Sequence, residues 1–306
     1  MKKNITYLCM AAAALLVSSC TQNEEITPTI ENEGRVPVLF TAKNSAVLET
    51  RADGVMGGGE NIGISMLPTE GSTEPVINAH FKSVWSQTET SLVPTTDAYT
   101  IYYPADGSNV KFNAYLPYDG TFSETVTWNF VDKKGEFFYT ATTEGDNNTY
   151  NKFTGAEQSV SLAFKHELAQ IRIFVNSTDY TIDGSFSATI SNHPSSFTYN
   201  IATNQFTQFG EKIDLPQYTV SGNSLFFNVL PEALGDDNII TFHVADGVSF
   251  QATLTPPSDG FKAGIQYEYE TTLTATKTEG TFKATLETLT PQKMGTLTSE
   301  EVQVEP

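Results

Sequence analysis

Beyond its first 35 residues the chain alternates apolar and polar side chains with a period of two. Val36, Val38, Phe40 and Ala42 share one parity, as do Ile62, Ile64 and Met66, then Val110, Phe112, Ala114 and Leu116, then Val126, Trp128 and Phe130. Successive side chains of a strand point to opposite faces, so each set predicts a half-buried strand. The second half continues with Val160, Leu162 and Phe164, Phe186, Ala188 and Ile190, Leu225, Phe227 and Val229, Ile240, Phe242 and Val244, and Ile265, Tyr267, Tyr269 and Leu273. Turn residues punctuate the sets, as at Asp106-Gly107, Asp119-Gly120, Asp183-Gly184, Asp246-Gly247 and Pro256 to Gly260. No stretch sustains a 3.6-residue period. The pattern predicts an all-β chain of antiparallel sandwiches rather than a parallel sheet flanked by helices.

One sandwich uses about seven to nine strands over roughly 100 residues, so this many strands predicts two sandwiches in series. Gly145-Asp146-Asn147-Asn148 and Gly155 interrupt the alternation, which predicts domains over 36–155 and 156–306. The parity changes once: Val160 to Leu168 is apolar at even positions, whereas Ile171, Ile173 and Val175 are odd. A bulge near Ala169-Gln170 would restore one buried face. His166 lies on the apolar parity and reads as a buried histidine bonded to backbone.

The amino terminus predicts how the fold is delivered. Lys2 and Lys3 precede an apolar run from Tyr7 to Val17, and Val17-Ser18-Ser19 places small residues before Cys20. That is the pattern of a lipoprotein signal covering 1–19: the thiol of Cys20 takes diacylglycerol and becomes the first residue of the mature chain. The run is far shorter than the roughly twenty residues that cross a bilayer. Cys9, the only other cysteine, lies within the segment to be removed, so the folded chain has no disulfide, CxxC or cysteine-ligated metal. Residues 20–35 read as an acidic spacer, with Glu24 and Glu25 just after the lipidated cysteine.

The 306 residues carry 17 Lys or Arg against 36 Asp or Glu, a net charge of −19. Loss of Lys2 and Lys3 with the signal leaves 15 against 36, or −21. Such a chain repels nucleic acid and anionic membrane surfaces in general, and nucleic-acid binding is excluded as a function. The charge fits solubility at a crowded surface better than capture of cations or cationic ligands.

Signs of catalysis are lacking. His80, His166, His193 and His243 show no ligand spacing and no HExxH. The stretch Gly54 to Gly63 lacks the Lys-Ser/Thr of a phosphate loop and reads as a flexible loop, and no GxSxG elbow occurs. Asp179 and Asp183-Gly184 lack the alternating acids of a calcium loop and read as a turn. Tyr99, Tyr102, Tyr103, Tyr115 and Tyr118 could stack on sugars but fit sandwich packing better. No enzyme, cofactor or metal is expected.

Several segments, in this order behind the signal, resemble the fimbrillin family, the lipoprotein-derived subunits of surface fimbriae in anaerobic Gram-negative bacteria. They are Phe40-Thr41-Ala42, Thr50-Arg51-Ala52, Tyr102-Tyr103-Pro104-Ala105-Asp106-Gly107, Phe112 to Tyr118, Phe164-Lys165-His166-Glu167-Leu168-Ala169, and Phe261-Lys262-Ala263-Gly264 before Tyr267. The resemblance covers most of 36–276 and departs after about Thr276. It implies two tandem Greek-key, transthyretin-like β-sandwich domains. It also implies assembly by donor-strand exchange, in which an Arg-directed protease removes the first strand and a strand of another subunit fills the groove. In this chain the cut would fall between Arg51 and Ala52, the exchanged strand would carry Val36, Val38, Phe40 and Ala42, and the donor would come from within Thr281 to Val304.

Two functions therefore compete. One is a structural, adhesive fimbrial subunit at the outer membrane, with other fimbrial subunits as partners, a lipid anchor, and a host or bacterial surface ligand. The other is a surface glycan-binding lipoprotein. The first needs the strand over 36–42 followed by an Arg and a glycine-rich loop. The second needs a solvent-exposed Trp or Tyr platform, whereas Trp85 and Trp128 read as core residues.

Overall fold

The computed structural model describes residues 34–44, 58–69, 74–86, 89–120, 124–133, 135–136, 138–143, 150–153, 159–177, 186–235, 238–244, 249–278, 281–285 and 293–296. The signal segment, Cys20, Arg51, Ala52 and the turns at 145–148 and 183–184 lie outside the described residues.

The regular structure of the described residues is nearly all strand, apart from short 3-10 turns at Asp97–Tyr99 and Pro231–Ala233. In order the strands are β1 (Phe40–Asn44), β2 (Asn61–Pro68), β3 (Val76–Trp85), β4 (Thr90–Pro94), β5 (Val110–Leu116), β6 (Thr125–Asn129) and β7 (Tyr139–Thr142). There follow β8 (Val160–His166), β9 (Ala169–Ser177), β10 (Ser187–Pro194), β11 (Ser196–Asn200), β12 (Gln205–Phe209), β13 (Lys212–Pro216) and β14 (Thr219–Ser221). The last are β15 (Ser224–Val229), β16 (Ile239–His243), β17 (Ser249–Thr253), β18 (Ile265–Thr278), β19 (Thr281–Thr285) and β20 (Lys293–Thr296).

Seven strands close on themselves in the order β1-β4-β3-β2-β5-β7-β8 and back to β1. Their inward residues, among them Phe40, Ile62, Ile64, Phe81, Phe112, Val160, Leu162 and Phe164, form one core. A second core lies between the sheets β13-β10-β16-β17 and β14-β15-β9-β18, with the sheet β12-β11-β6 packed beside it. Trp128, Phe197, Tyr199, Phe227, Ile171, Phe242, Tyr267 and Tyr269 are buried there. Nearly all pairings are antiparallel; β1–β8 and β9–β18 are the parallel joints among the described strands.

The chain crosses between the cores more than once. β6 follows the closed sheet's β5 in sequence but pairs with β11, and Val126 and Trp128 face the second core. The parity change after Phe164 has the same origin, and here the expectation of a bulge is corrected. β8 ends at His166, Glu167 and Leu168 make the passage, and β9 begins in another sheet. Each strand keeps its own parity because each buries a face in a different core. At the passage, Glu167 accepts from Thr140 and pairs with Lys165 at 2.9 Å.

Two close fits tie the parts together. Asn113 Nδ2 on β5 donates to Ile201 O at 2.7 Å and to Ala202 O at 3.2 Å, while Thr142 Oγ1 donates to Asn113 Oδ1 at 2.7 Å. Gly63 on β2 lies so near the Tyr115 ring and Asn78 Oδ1 that a Cβ there would collide with both. Tyr115 itself donates to Asn78 Oδ1 at 2.9 Å.

His193 is fully buried; its Nδ1 lies 2.8 Å from Pro194 O, and Leu230 N–H donates to Nε2 at 3.1 Å. The ring is therefore neutral with its proton on Nδ1, and burial lowers its pKa to about 4. His166, buried against Tyr139 with ring centroids 4.2 Å apart, is lowered to about 4 by the same cause. Both folded values lie below the ordinary 6.5, so this contribution to stability is present above pH 6.5 and is lost as pH falls toward 4. Urea denaturation across that window is expected to show a loss of roughly 3 kcal/mol per histidine, and His193→Gln should flatten the profile. Asn113→Ala, which strands buried carbonyls, is expected to cost about 1–3 kcal/mol in the same assay.

Candidate functional site

The feature of the closed sheet with functional potential is the strand that closes it. β1 pairs antiparallel with β4, Phe40 opposite Leu92 and Ala42 opposite Thr90, and parallel with β8, Phe40 opposite Val160 and Ala42 opposite Leu162. β4 and β8 have no pairing with each other, so their ladder edges meet only through β1.

The segment before β1 is also held. Val38 N–H donates to Ile101 O at 2.9 Å, Tyr103 N–H donates to Val36 O at 2.9 Å, and Val160 N–H donates to Leu39 O at 2.7 Å. Of the four residues expected on one face, Val38, Phe40 and Ala42 are buried and Val36 is half-buried. The Phe40 ring meets Phe81 at 5.4 Å and Phe112 at 5.0 Å, both edge-to-face. Burying a Val or Phe side chain contributes about 1.5–3 kcal/mol each, so this one strand supplies on the order of 5 kcal/mol to the first core.

Without β1 the closed sheet would become an open one. Its edges would be β4 and β8, each with a row of unpaired N–H and C=O groups, and an apolar slot would run between them toward Phe81 and Phe112. Such an edge can accept an extended segment, with main-chain bonds giving affinity and alternate side-chain pockets giving selectivity. The slot takes a branched aliphatic, an aromatic and a small residue at alternate positions.

The remaining expectations fall differently. Arg172 lies within β9, paired with Glu268 at 3.3 Å and stacked on Phe174 at 4.2 Å. Trp128 is core, but Trp85, at the end of β3, is 56% exposed, which corrects the reading of it as a core residue. Trp85 keeps the inward parity of Phe81 and Ser83 yet stands past the last layer of the core, an effect that spacing alone cannot reveal. Of the tyrosines, Tyr103 and Tyr115 are buried, and burial raises the Tyr103 phenol to about 12. Tyr118 stacks on His80, with ring centroids 3.9 Å apart. Among the described residues no group of three or more His, Cys, Asp or Glu is placed to hold a metal ion, and no helix is long and apolar enough to cross a membrane.

The model of the family described as fimbrillin-like matches residues 50–288. A candidate fimbrium subunit of Bacteroides uniformis, Fim1C, is 28% identical over 314 residues, which cover 96% of this chain and 98% of that protein. The crystal structure of a candidate cell adhesion protein from Bacteroides uniformis superposes with a TM-score of 0.60 at 23% identity, over 87% of this chain and 100% of that one. A candidate cell adhesion protein from Bacteroides ovatus gives 0.52 at 13% identity, over 84% and 97%. The two superpositions show a shared fold, and the family match spans most of the sequence. The chain belongs to the fimbrillin-like family, one of structural fimbrial subunits rather than of enzymes.

Proposed function

We propose that this chain is an adhesive fimbrial subunit, exported as an outer-membrane lipoprotein through Cys20 and assembled by protease-triggered strand exchange at β1. Its two cores would act as sandwich modules, although not divided at 155/156: β8 closes the first ring and β6 packs in the second core, so the chain passes between them at Glu167 and Leu168 and again around β6. The observation that carries the reading is that β1 alone joins β4 to β8 while burying an apolar face. Arg51 follows β1 in sequence and precedes β2, so a cut between Arg51 and Ala52 would separate the closing strand from everything it closes. The name of the 28%-identical relative, a fimbrium subunit, supports the same reading.

The vacated slot defines its occupant. A strand retaining the resident polarity runs parallel to β8 and antiparallel to β4. Within the expected donor region, Phe282-Lys283-Ala284 of β19 repeats the aromatic-x-small spacing of Phe40-Thr41-Ala42. In the single chain β19 and β20 pair with β18, so donation to a neighbour would require them to leave that edge.

The glycan-binding alternative gains one observation, the exposure of Trp85. Its neighbour Val84 and nearby Val93 are exposed and aliphatic, and the acids beside it are Glu89, next to its partner Thr90, and Glu60, bonded to Ser83. Strand exchange is the better supported reading.

Cys20→Ala is expected to abolish palmitate labelling and outer-membrane fractionation; unchanged labelling would sink the lipoprotein part. For assembly, protein without the signal would be treated with an Arg-specific protease and followed by size exclusion and electron microscopy. The wild type is expected to polymerise, whereas Arg51→Ala and a truncation before Thr281 should remain monomeric. Phe40→Ala should lower stability by about 3–5 kcal/mol and speed polymerisation of the cut protein, while Leu39→Ala at an exposed position should do neither. Cutting at Arg51 without polymerisation at high concentration, or equal polymerisation of Arg51→Ala, would overturn the exchange mechanism.

A further inference from the structure

The sheet β14-β15-β9-β18 turns odd-numbered residues such as Phe227, Ile171 and Tyr267 into the second core. The even-numbered residues of β15, β9 and β18 therefore stand on its other face. The register sets them in rows: Asn228, Gln170 and Gln266 lie side by side, then Phe226, Arg172 and Glu268, then Phe174 and Glu270. Polar and charged groups dominate this face, and the rings of Phe174 and Phe226 on it are half-buried.

The amides of the first row are bonded in one direction. Asn228 Nδ2 donates to Glu136 O at 3.1 Å, which leaves Asn228 Oδ1 to accept from Gln170 Nε2 at 3.4 Å; Gln170 Nε2 also donates to Tyr218 Oη at 2.8 Å. Gln170 is 2% exposed, yet Oε1, the other arm of its amide, has no hydrogen-bond partner among the described residues. Two residues along the same strand and face, Arg172 is fixed by Nη1 to Glu268 Oε1 at 3.3 Å. Its guanidinium carbon lies 4.2 Å from the Phe174 ring centroid and 5.2 Å from that of Phe226. Its Nε–H is likewise buried and without a hydrogen-bond partner among the described residues. An acceptor and a donor, each costing about 1–3 kcal/mol when left unsatisfied, thus occupy adjacent outward positions of β9, with Cα atoms about 6.6 Å apart by strand geometry.

We propose that this face binds a neutral saccharide, one hydroxyl of which accepts from Arg172 Nε–H and donates to Gln170 Oε1. A hydroxyl does both at once, and an oxygen at about 2.8–3.0 Å from each atom spans a gap of that size. Phe174 and Phe226 offer apolar ring surface to the C–H faces of a sugar. Toward the exposed end of the face Asn176 Nδ2 donates to Glu270 Oε1 at 2.9 Å, an amide and a carboxylate placed for a further hydroxyl. Charge argues against an anionic ligand. Arg172 faces Glu268 and Glu270, and Lys293 stands opposite Glu268 in the register, so positive charge is not in excess. Of the Arg172 and Glu268 side chains 29% and 17% are exposed; the sugar enters over the guanidinium, which turns on its ion pair to uncover Nε. The site stands beside strand exchange and does not replace it.

The inference deepens the adhesive part of the proposed function and rests on it for the need of a surface ligand, so the test uses the uncut monomer, whose binding does not depend on strand exchange. The chain has three arginines, Arg35, Arg51 and Arg172, and nitrogen-edited proton NMR resolves their Nε–H signals, that of Arg172 being assigned by its loss in Arg172→Lys. The probes are the methyl glycosides of glucose, galactose, mannose and N-acetylglucosamine, with methyl glucuronide and inorganic sulfate as anions. At least one neutral glycoside is expected to shift the Arg172 signal saturably while those of Arg35 and Arg51 stay in place. Arg172→Lys, which keeps the charge but not the Nε–H, and separately Phe174→Ser should each weaken binding about tenfold. Saturation transfer from protein to glycoside reads that loss, with near-ultraviolet circular dichroism unchanged.

No shift with any neutral glycoside would overturn the proposal and leave the two atoms to a bound water only; the adhesive reading would then stand on another ligand. A shift with glucuronide or sulfate alone would also overturn it and indicate an anion site. Binding that survives both substitutions would place the saccharide elsewhere on the protein and overturn it as well. Saturable binding lost in both variants, in a protein that is cut yet never polymerises, would support the site while sinking strand exchange.

Discussion

The insertion of β1 between β4 and β8 is the constraint on which the first half of the molecule depends. Every other strand in the ring can find its neighbours through hairpins or longer connections, but β4 and β8 have no contact of their own to make. One five-residue strand therefore satisfies two ladder edges and places Phe40 against Phe81 and Phe112. Both partners of β1 are distant in sequence, so ring closure comes with a large loop-closure entropy and is a late event by contact-order reasoning. A part that closes last is also the part removed with least disturbance to what remains.

Several polar side chains inside the fold join segments that are far apart in sequence. His193 joins Pro194 to Leu230, and Asn113 caps the carbonyls of Ile201 and Ala202. Gln170 on β9 donates to Tyr218 at 2.8 Å. His193 lies near the end of β10, whereas Asn113 and Gln170 sit within strands paired on both sides and reach sideways to other segments. A buried polar group without such a partner would cost more than it contributes. These side chains fix which strand crosses where, whereas hydrophobic burial supplies the bulk of the stability.

The distribution of charge follows the same economy of place. The acidic residues that set the net charge of −19 are largely in connecting segments, and the strands of the closed sheet have only lysines. An overall negative charge keeps copies apart in solution, while carboxylates at the closed sheet are confined to the segments that adjoin its strands, among them Glu60, Glu89 and Asp97. Formal net charge describes the first effect and is silent on the second, because the contribution of any one face depends on how the strands are arranged around the ring.

Period-two alternation was enough to establish an all-β chain, and it located the strands of Ile62 to Met66, Phe112 to Leu116, Val160 to Phe164, Leu225 to Val229 and Tyr267 to Leu273, because parity is a property of consecutive residues. The face of β1 was legible for the same reason. β3 was missed where Asn78, at φ 56°, breaks the parity so that Asn78 and Ala79 are both buried. The step from Phe164 to Ile171 reads as a bulge but is a passage between sheets, and Trp85 reads as core but is exposed. Parity states that a face is buried, but not which sheet buries it or how far the core extends. That Val126 and Trp128 pack with Phe197, that Val160 and Leu162 pack with Phe40, and that β1 bridges β4 and β8 were settled by tertiary structure alone, since partners so far apart in the chain are chosen by shape, register and loop geometry rather than by any local pattern.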